Sequence, residues 1–240
     1  GRAGRWGIAM KIKLLAAVGV AGFMALMAGA ANATIVVTGK TANQLAVDQG
    51  VLLDDFDGFV ASNVVFSGNT FPGPQNPVST AAEPPYTGPG STTICCDSSS
   101  NPYLADATGF ESVEGGGSST FSAIKGNYLT SFNFYMGSPD EYNHVIFNFL
   151  GGGSQTFDGD AIWGGAPNGN GDRSIGFRVY YNFNGAKVSS ITFTSGQNAF
   201  EGDNFGGVAV PEPATWALML SGFGLAGGML RARRRKAALA

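Results

Sequence analysis

The chain has 240 residues and a formal net charge of −3, long enough for one domain with a real core between its two ends. That charge is segregated: nine of the fourteen Lys and Arg residues lie before residue 34 or after residue 210, so the middle sets five basic residues against sixteen acids, a net of −11. Such a middle repels nucleic acid and anionic membrane surfaces and excludes them as its partners, while offering carboxylates to divalent cations.

Residues 1–9 precede the first methionine, Met10, and read as upstream sequence from a misplaced start. From Met10 a short basic region (Lys11, Lys13) leads into an apolar stretch, 14–28, and then Ala31-Asn32-Ala33, a small-x-small cleavage pattern. Residues 10–33 are therefore expected to be a secretory signal peptide cut after Ala33, which implies the Sec export machinery as a partner and passage through the inner membrane.

Residues 34–209 are expected to form one extracellular domain. Glycine, serine, asparagine and threonine punctuate it, and no window holds apolar residues at helical spacing for three turns. Short alternating runs take their place: 51–56, 64–71, 103–107, 118–124, 128–136, 144–150, 155–163, 174–183, 188–195 and 199–208. In 128–136, Phe132, Phe134 and Met136 share one face, and Gly185 after Asn184 signals a hairpin turn. About ten strands without helices predict an all-β fold, and a jelly-roll-like two-sheet β-sandwich is the expected form. Prolines at 72, 74, 77, 84, 85 and 89 predict a long surface excursion over 71–102. Within it Cys95 and Cys96 are adjacent, so the readings are a strained vicinal disulfide, pairing with another molecule, or two free thiols.

Candidate chemistry in the domain is sparse. The single histidine, His144, starts a strand beside a Ser-Pro-Asp turn, with no recognisable nucleophile elbow to make a triad. Asp158 and Asp160 alternate on a strand, the arrangement a glycosidase would need, although such pairs arise by chance among many acids. Asp54 and Asp57 in an early strand and Asp203 in the last offer hard oxygen ligands that would suit Ca²⁺ if the two strands are neighbours. Asn168, Asn170 and Asp172 mimic the opening of an EF-hand loop, but Arg173 stands where glycine is needed, so this segment reads as a turn.

The end of the chain, 210–240, has three parts. Pro211-Glu212-Pro213 fixes the backbone, 214–230 is a run of seventeen residues without charge, and Arg231, Arg233, Arg234, Arg235 and Lys236 form a basic end. At 1.5 Å per residue the run spans about 26 Å, the short end of a membrane crossing, so a single transmembrane helix is expected with the basic end cytoplasmic and Trp216 at the interface. Motif, apolar helix and basic end resemble the PEP-CTERM sorting signal in its variant with Trp216-Ala217 after the motif. Some descriptions of this tail take their name from an ice-binding protein that carries it. The resemblance implies recognition and cutting by an exosortase of Gram-negative bacteria, with Glu212 as a recognition handle.

Three further pieces resemble the extracellular domain that often precedes this signal: Tyr103-Leu104 followed by Gly115-Gly116-Gly117, the segment 134–143, and 199–204. The two resemblances imply an exported, exosortase-processed cell-surface or matrix protein, transiently anchored and associated with exopolysaccharide or biofilm; the double targeting and the lack of a catalytic constellation in the sequence make a non-enzymatic role the expectation. The alternatives are a lectin-like, Ca²⁺-dependent binder of extracellular polysaccharide and a polysaccharide-cleaving enzyme.

Overall fold

The computed structural model describes residues 34–42, 44–72, 108–137, 140–163 and 176–237. The signal peptide with Ala31 and Ala33, the pair Cys95 and Cys96, the strand expected over 103–107, most of the proline-rich excursion and the EF-hand-like segment lie outside them.

Among the described residues, twelve strands form a single antiparallel sheet that curls on itself. In chain order they are β1 (Val36–Ala42), β2 (Val51–Asp54), β3 (Val64–Ser67), β4 (Thr70–Phe71), β5 (Phe110–Val113), β6 (Ser118–Ala123), β7 (Asn127–Met136), β8 (Asn143–Phe149), β9 (Ser154–Asp158), β10 (Phe177–Asn182), β11 (Val188–Ser195) and β12 (Phe200–Pro211). Two helices complete the order, α1 (Gly159–Trp163) after β9 and α2 (Pro213–Ala237) after β12.

Two long ladders make up the sheet. In one, β7 lies between β10 and β12, β1 continues past β10, and β12 is flanked on its far edge by β5 near its start and β2 near its middle. In the other, β11 lies between β6 and β8, with β3 and β9 outside them. They join at one pair, Val188 of β11 with Leu129 of β7. The two separate sheets expected of a sandwich are thus replaced by one continuous sheet, because this contact carries the pairing from one ladder into the other.

Alternation explains the core. Phe132, Phe134 and Met136 of β7 are buried as their shared face requires, and they meet Phe193 of β11, Phe147 of β8 and Phe205 of β12. The rings pack mostly edge to face: Phe134 to Phe193 at 5.5 Å and 67°, Phe121 to Phe205 at 5.2 Å and 86°. Phe205, buried completely, touches rings from β3, β6, β7 and β11, so β12 is bound to the middle of the core.

Two local readings change and one holds. The run 64–71 is two strands, because Gly68 and Asn69 break it. The run 155–163 is a strand only as far as Asp158, whose Oδ1 accepts the Ala161 N–H at 2.7 Å and caps α1. The hairpin turn after β10 is as expected, with Asn184 and Gly185 at φ 48° and 86°. Strands β1 and β5 were not signalled by alternation.

Candidate functional site

The sorting segment begins inside the sheet. Past its contacts with β5 and β2, β12 continues alone against β7: Ala209 pairs with Leu129, Val210 with Tyr128 and Pro211 with Asn127. Glu212 then donates its N–H to the Gly126 carbonyl at 2.8 Å. Since donors alternate along a strand, the Glu212 N–H faces β7 and the nitrogen of Pro211 faces the open edge, where a missing donor costs nothing. Glu212 is half-buried and hydrogen-bonded to the β6–β7 turn, so the motif leaves the domain as part of the sheet and not on a free linker.

Pro213 is the first residue of α2, where its fixed φ suits a helix and its absent N–H is not missed. The first turn closes through the Trp216 N–H to the Glu212 carbonyl at 3.4 Å. Beyond it Leu218, Leu220, Phe223, Leu225, Met229 and Leu230 are all exposed, so the domain does not cover this apolar helix. Arg231, the first residue of the basic end, is also exposed, and Arg233, Arg234, Arg235 and Lys236 follow on the same helix. Among the described residues no helix is long and apolar enough to cross a membrane. The expected transmembrane helix is therefore not met by α2 as it stands: Gly222, Gly224, Gly227 and Gly228, with Thr215 and Ser221, dilute the charge-free run.

The three proposed calcium ligands serve separate purposes. Asp54 is buried and accepts the Phe56 N–H at 3.0 Å, and burial raises its carboxyl to about 6. Asp57 accepts the Gly109 N–H at 2.7 Å, while Asp203 accepts the Thr108 hydroxyl at 3.2 Å and the side-chain amide of Asn204 at 2.8 Å. β2 and β12 are indeed neighbours. Even so, among the described residues no group of three or more His, Cys, Asp or Glu side chains is arranged to hold a metal ion.

The other candidates separate as well. Asp158 caps α1 and Asp160 lies within that helix, so the two do not alternate on one strand face, which corrects the geometry expected of a carboxylate pair. His144 is half-buried in β8, paired with Asp158 on one side and Thr194 on the other.

Among the buried ionisable side chains that the sequence did not signal, Arg178 and Glu111 stand out. Arg178 on β10 is the bulkiest fully buried side chain. Its guanidinium donates to the Gln44 carbonyl at 3.0 Å, the Asn204 carbonyl at 3.0 Å, the Asn133 side-chain oxygen at 2.7 Å and the Leu45 carbonyl. Burial lowers it to about 10, so it stays charged at neutral pH. Asn133 also donates to the Gln49 carbonyl and Tyr180 to Asp48, so this cluster clamps the connection between β1 and β2 onto the sheet. Glu111 on β5 is equally buried. Desolvation raises it to about 8, the carboxylates of Asp54 and Glu201 push the same way, and the Ser119 hydroxyl at 2.6 Å opposes them.

Of the segments that carried the domain resemblance, 134–143 and 199–204 meet in space, while Tyr103-Leu104 lies outside the described residues. Asn143, fully buried, donates to the Ala199 carbonyl at 3.1 Å and accepts from Ser195 at 2.5 Å, and Asp203 pairs with Tyr135 across β12 and β7. These contacts fix a turn and a strand.

A folded β domain whose last strand runs through Pro-Glu-Pro into an apolar helix with a basic end defines a chain bearing a C-terminal sorting signal. Residues 209–236 match the family model of the PEP-CTERM protein-sorting motif. The chain therefore carries a PEP-CTERM sorting motif, which implies an exported, exosortase-targeted protein with an exosortase as its processing partner. No curated protein and no solved structure matches it.

Proposed function

We propose that residues 34–209 form a non-enzymatic surface or matrix domain that an exosortase releases from the membrane, and that it works in association with the cell's exopolysaccharide. The sorting motif at 209–236 is the observation that carries this reading, since it places the β domain on the exported side of a processing event. The acids of the domain support the non-enzymatic part. Asp54, Asp57, Asp158 and Asp203 each accept hydrogen bonds that fix turns, a helix start or neighbouring side chains, a structural use of the carboxylates. On the exosortase reading the C-terminal sorting segment anchors the chain transiently after export, and the cut frees the domain. The test is incubation of the purified protein with polysaccharide from the producing cells. Retention of the protein without released oligosaccharide supports the matrix reading and a lectin-like mode within it. Released oligosaccharide refutes the non-enzymatic reading, and no retention refutes the association.

A further inference from the structure

We propose that Gly126, Asn127 and Tyr128, at the start of β7, form a latch that holds the sorting motif closed and thereby governs when its protease can cut. The proposal rests on the exosortase reading of the tail and adds residues of the folded domain to that reaction. A protease engages its substrate as an extended strand, through the main-chain groups around the scissile bond. Those groups are occupied at Glu212. Its N–H is bonded to Gly126 at 2.8 Å and its carbonyl accepts from Trp216 in the first turn of α2. Residues 209–211 are paired with Leu129, Tyr128 and Asn127.

The construction of β12 limits how much must move. Between residues 200 and 207 the strand is held by β7 at 202, 203, 206 and 207 and on its other edge by β5 at 200–202 and β2 at 205–207, and Phe205 is fixed in the core. A register shift falls between Val208 and Ala209, and beyond it β7 is the one paired strand, the other edge being touched by the Asn63 side chain, which donates to the Ala209 carbonyl at 3.0 Å. The end of β12 therefore forms a short, separately registered piece that can peel from β7 while the rest of the domain stays folded. Tyr128, opposite Val210, is itself steadied by the Lys187 ammonium 4.8 Å from its ring centre, and the Asn127 side chain donates to the Ile124 carbonyl at 3.1 Å to fix the turn. The latch is thus built from the β6–β7 turn and one cationic side chain, and it opens by fraying instead of by unfolding.

A cross-strand lock tests this. Directly opposed residues of an antiparallel pair have Cα atoms about 4.5–5.5 Å apart, within disulfide reach, so Val210→Cys with Tyr128→Cys should close the latch covalently in the oxidising exported compartment. In exosortase-bearing cells the full chain with both cysteines should keep its tail, read by mass spectrometry, and lose it when a reductant is added. The single variants should be processed. Tail loss from the locked chain at the rate of the single variants overturns the latch and leaves the sorting reading intact. A wild-type chain that keeps its tail in those cells overturns both. Should the double variant fail to fold, amide exchange on the wild-type chain from cells without exosortase decides: the Glu212 N–H should exchange at least about fivefold more slowly than in a free peptide of residues 209–216. Equal rates overturn the latch.

Discussion

Glu111 makes the stability of this domain depend on pH in an uncommon direction. Its folded value, about 8, lies above its ordinary value of 4.5, so between those limits the folded protein keeps a proton that the unfolded chain releases. Stability from this group is complete below about pH 4.5, falls as pH rises and is exhausted above about 8. One proton released on unfolding gives a slope of about −1.4 kcal/mol per pH unit, and the whole interval amounts to about 5 kcal/mol at most. Against a typical domain stability of about 5–15 kcal/mol this is a large share. Asp54, raised to about 6 from 3.8, acts in the same direction over a lower window. Urea unfolding of the purified chain from pH 4.5 to 9 should show the midpoint falling with pH and levelling above 8. Glu111→Gln, which preserves the shape without the proton, should remove most of the slope above pH 6, where Asp54 no longer contributes. A wild-type profile that is flat or rising between pH 6 and 8, or a slope unchanged by Glu111→Gln, would refute the reasoning.

Two substitutions probe the packing around these groups. Arg178→Met leaves the Gln44, Leu45 and Asn204 carbonyls and the Asn133 side-chain oxygen without their donor; it should cost about 3–5 kcal/mol in urea unfolding and speed proteolysis within 44–49. Gly202→Ala would bring a Cβ to 3.0 Å from Glu111 Oε1 and 3.3 Å from Phe134 Cδ2, a destabilisation of about 1–3 kcal/mol. In a Glu111→Ala background that cost should shrink, which a double-mutant cycle measures.

Strands were legible where one face meets the core and the other does not. β8 and β11 alternate in sequence and in burial, and β7 alternates in sequence although its last five residues are all buried, so their runs could be read from period 2 alone. β5 could not, because all four of its residues, Phe110, Glu111, Ser112 and Val113, are buried and the pattern disappears. β1 failed for the opposite reason: it is an edge strand, mostly exposed, with little apolar periodicity to show. The turn into α1 was readable in principle, since an Asp three residues before a helical N–H is a capping signal, but strand-like alternation over 155–158 concealed it. Arg178 gave no sign. A basic residue in a strand reads as solvent-facing, and its burial depends on acceptors from residues 44–45, 133 and 204, which only the fold brings together.

The sorting site divides along the same line. Pro211, Glu212, Pro213 and the apolar run announce themselves because their chemistry is local: two fixed φ angles, one carboxylate, a charge-free helix. Their docking is not local. It follows from β12 being tied into the core at Phe205, which fixes where the strand leaves the sheet and brings Glu212 to Gly126. A signal attached by a flexible linker would be cut whatever the state of the domain. One that completes the pairing of β7 cannot be reached until that pairing yields, so the position of β12 couples the folding of the domain to the exposure of its own processing site.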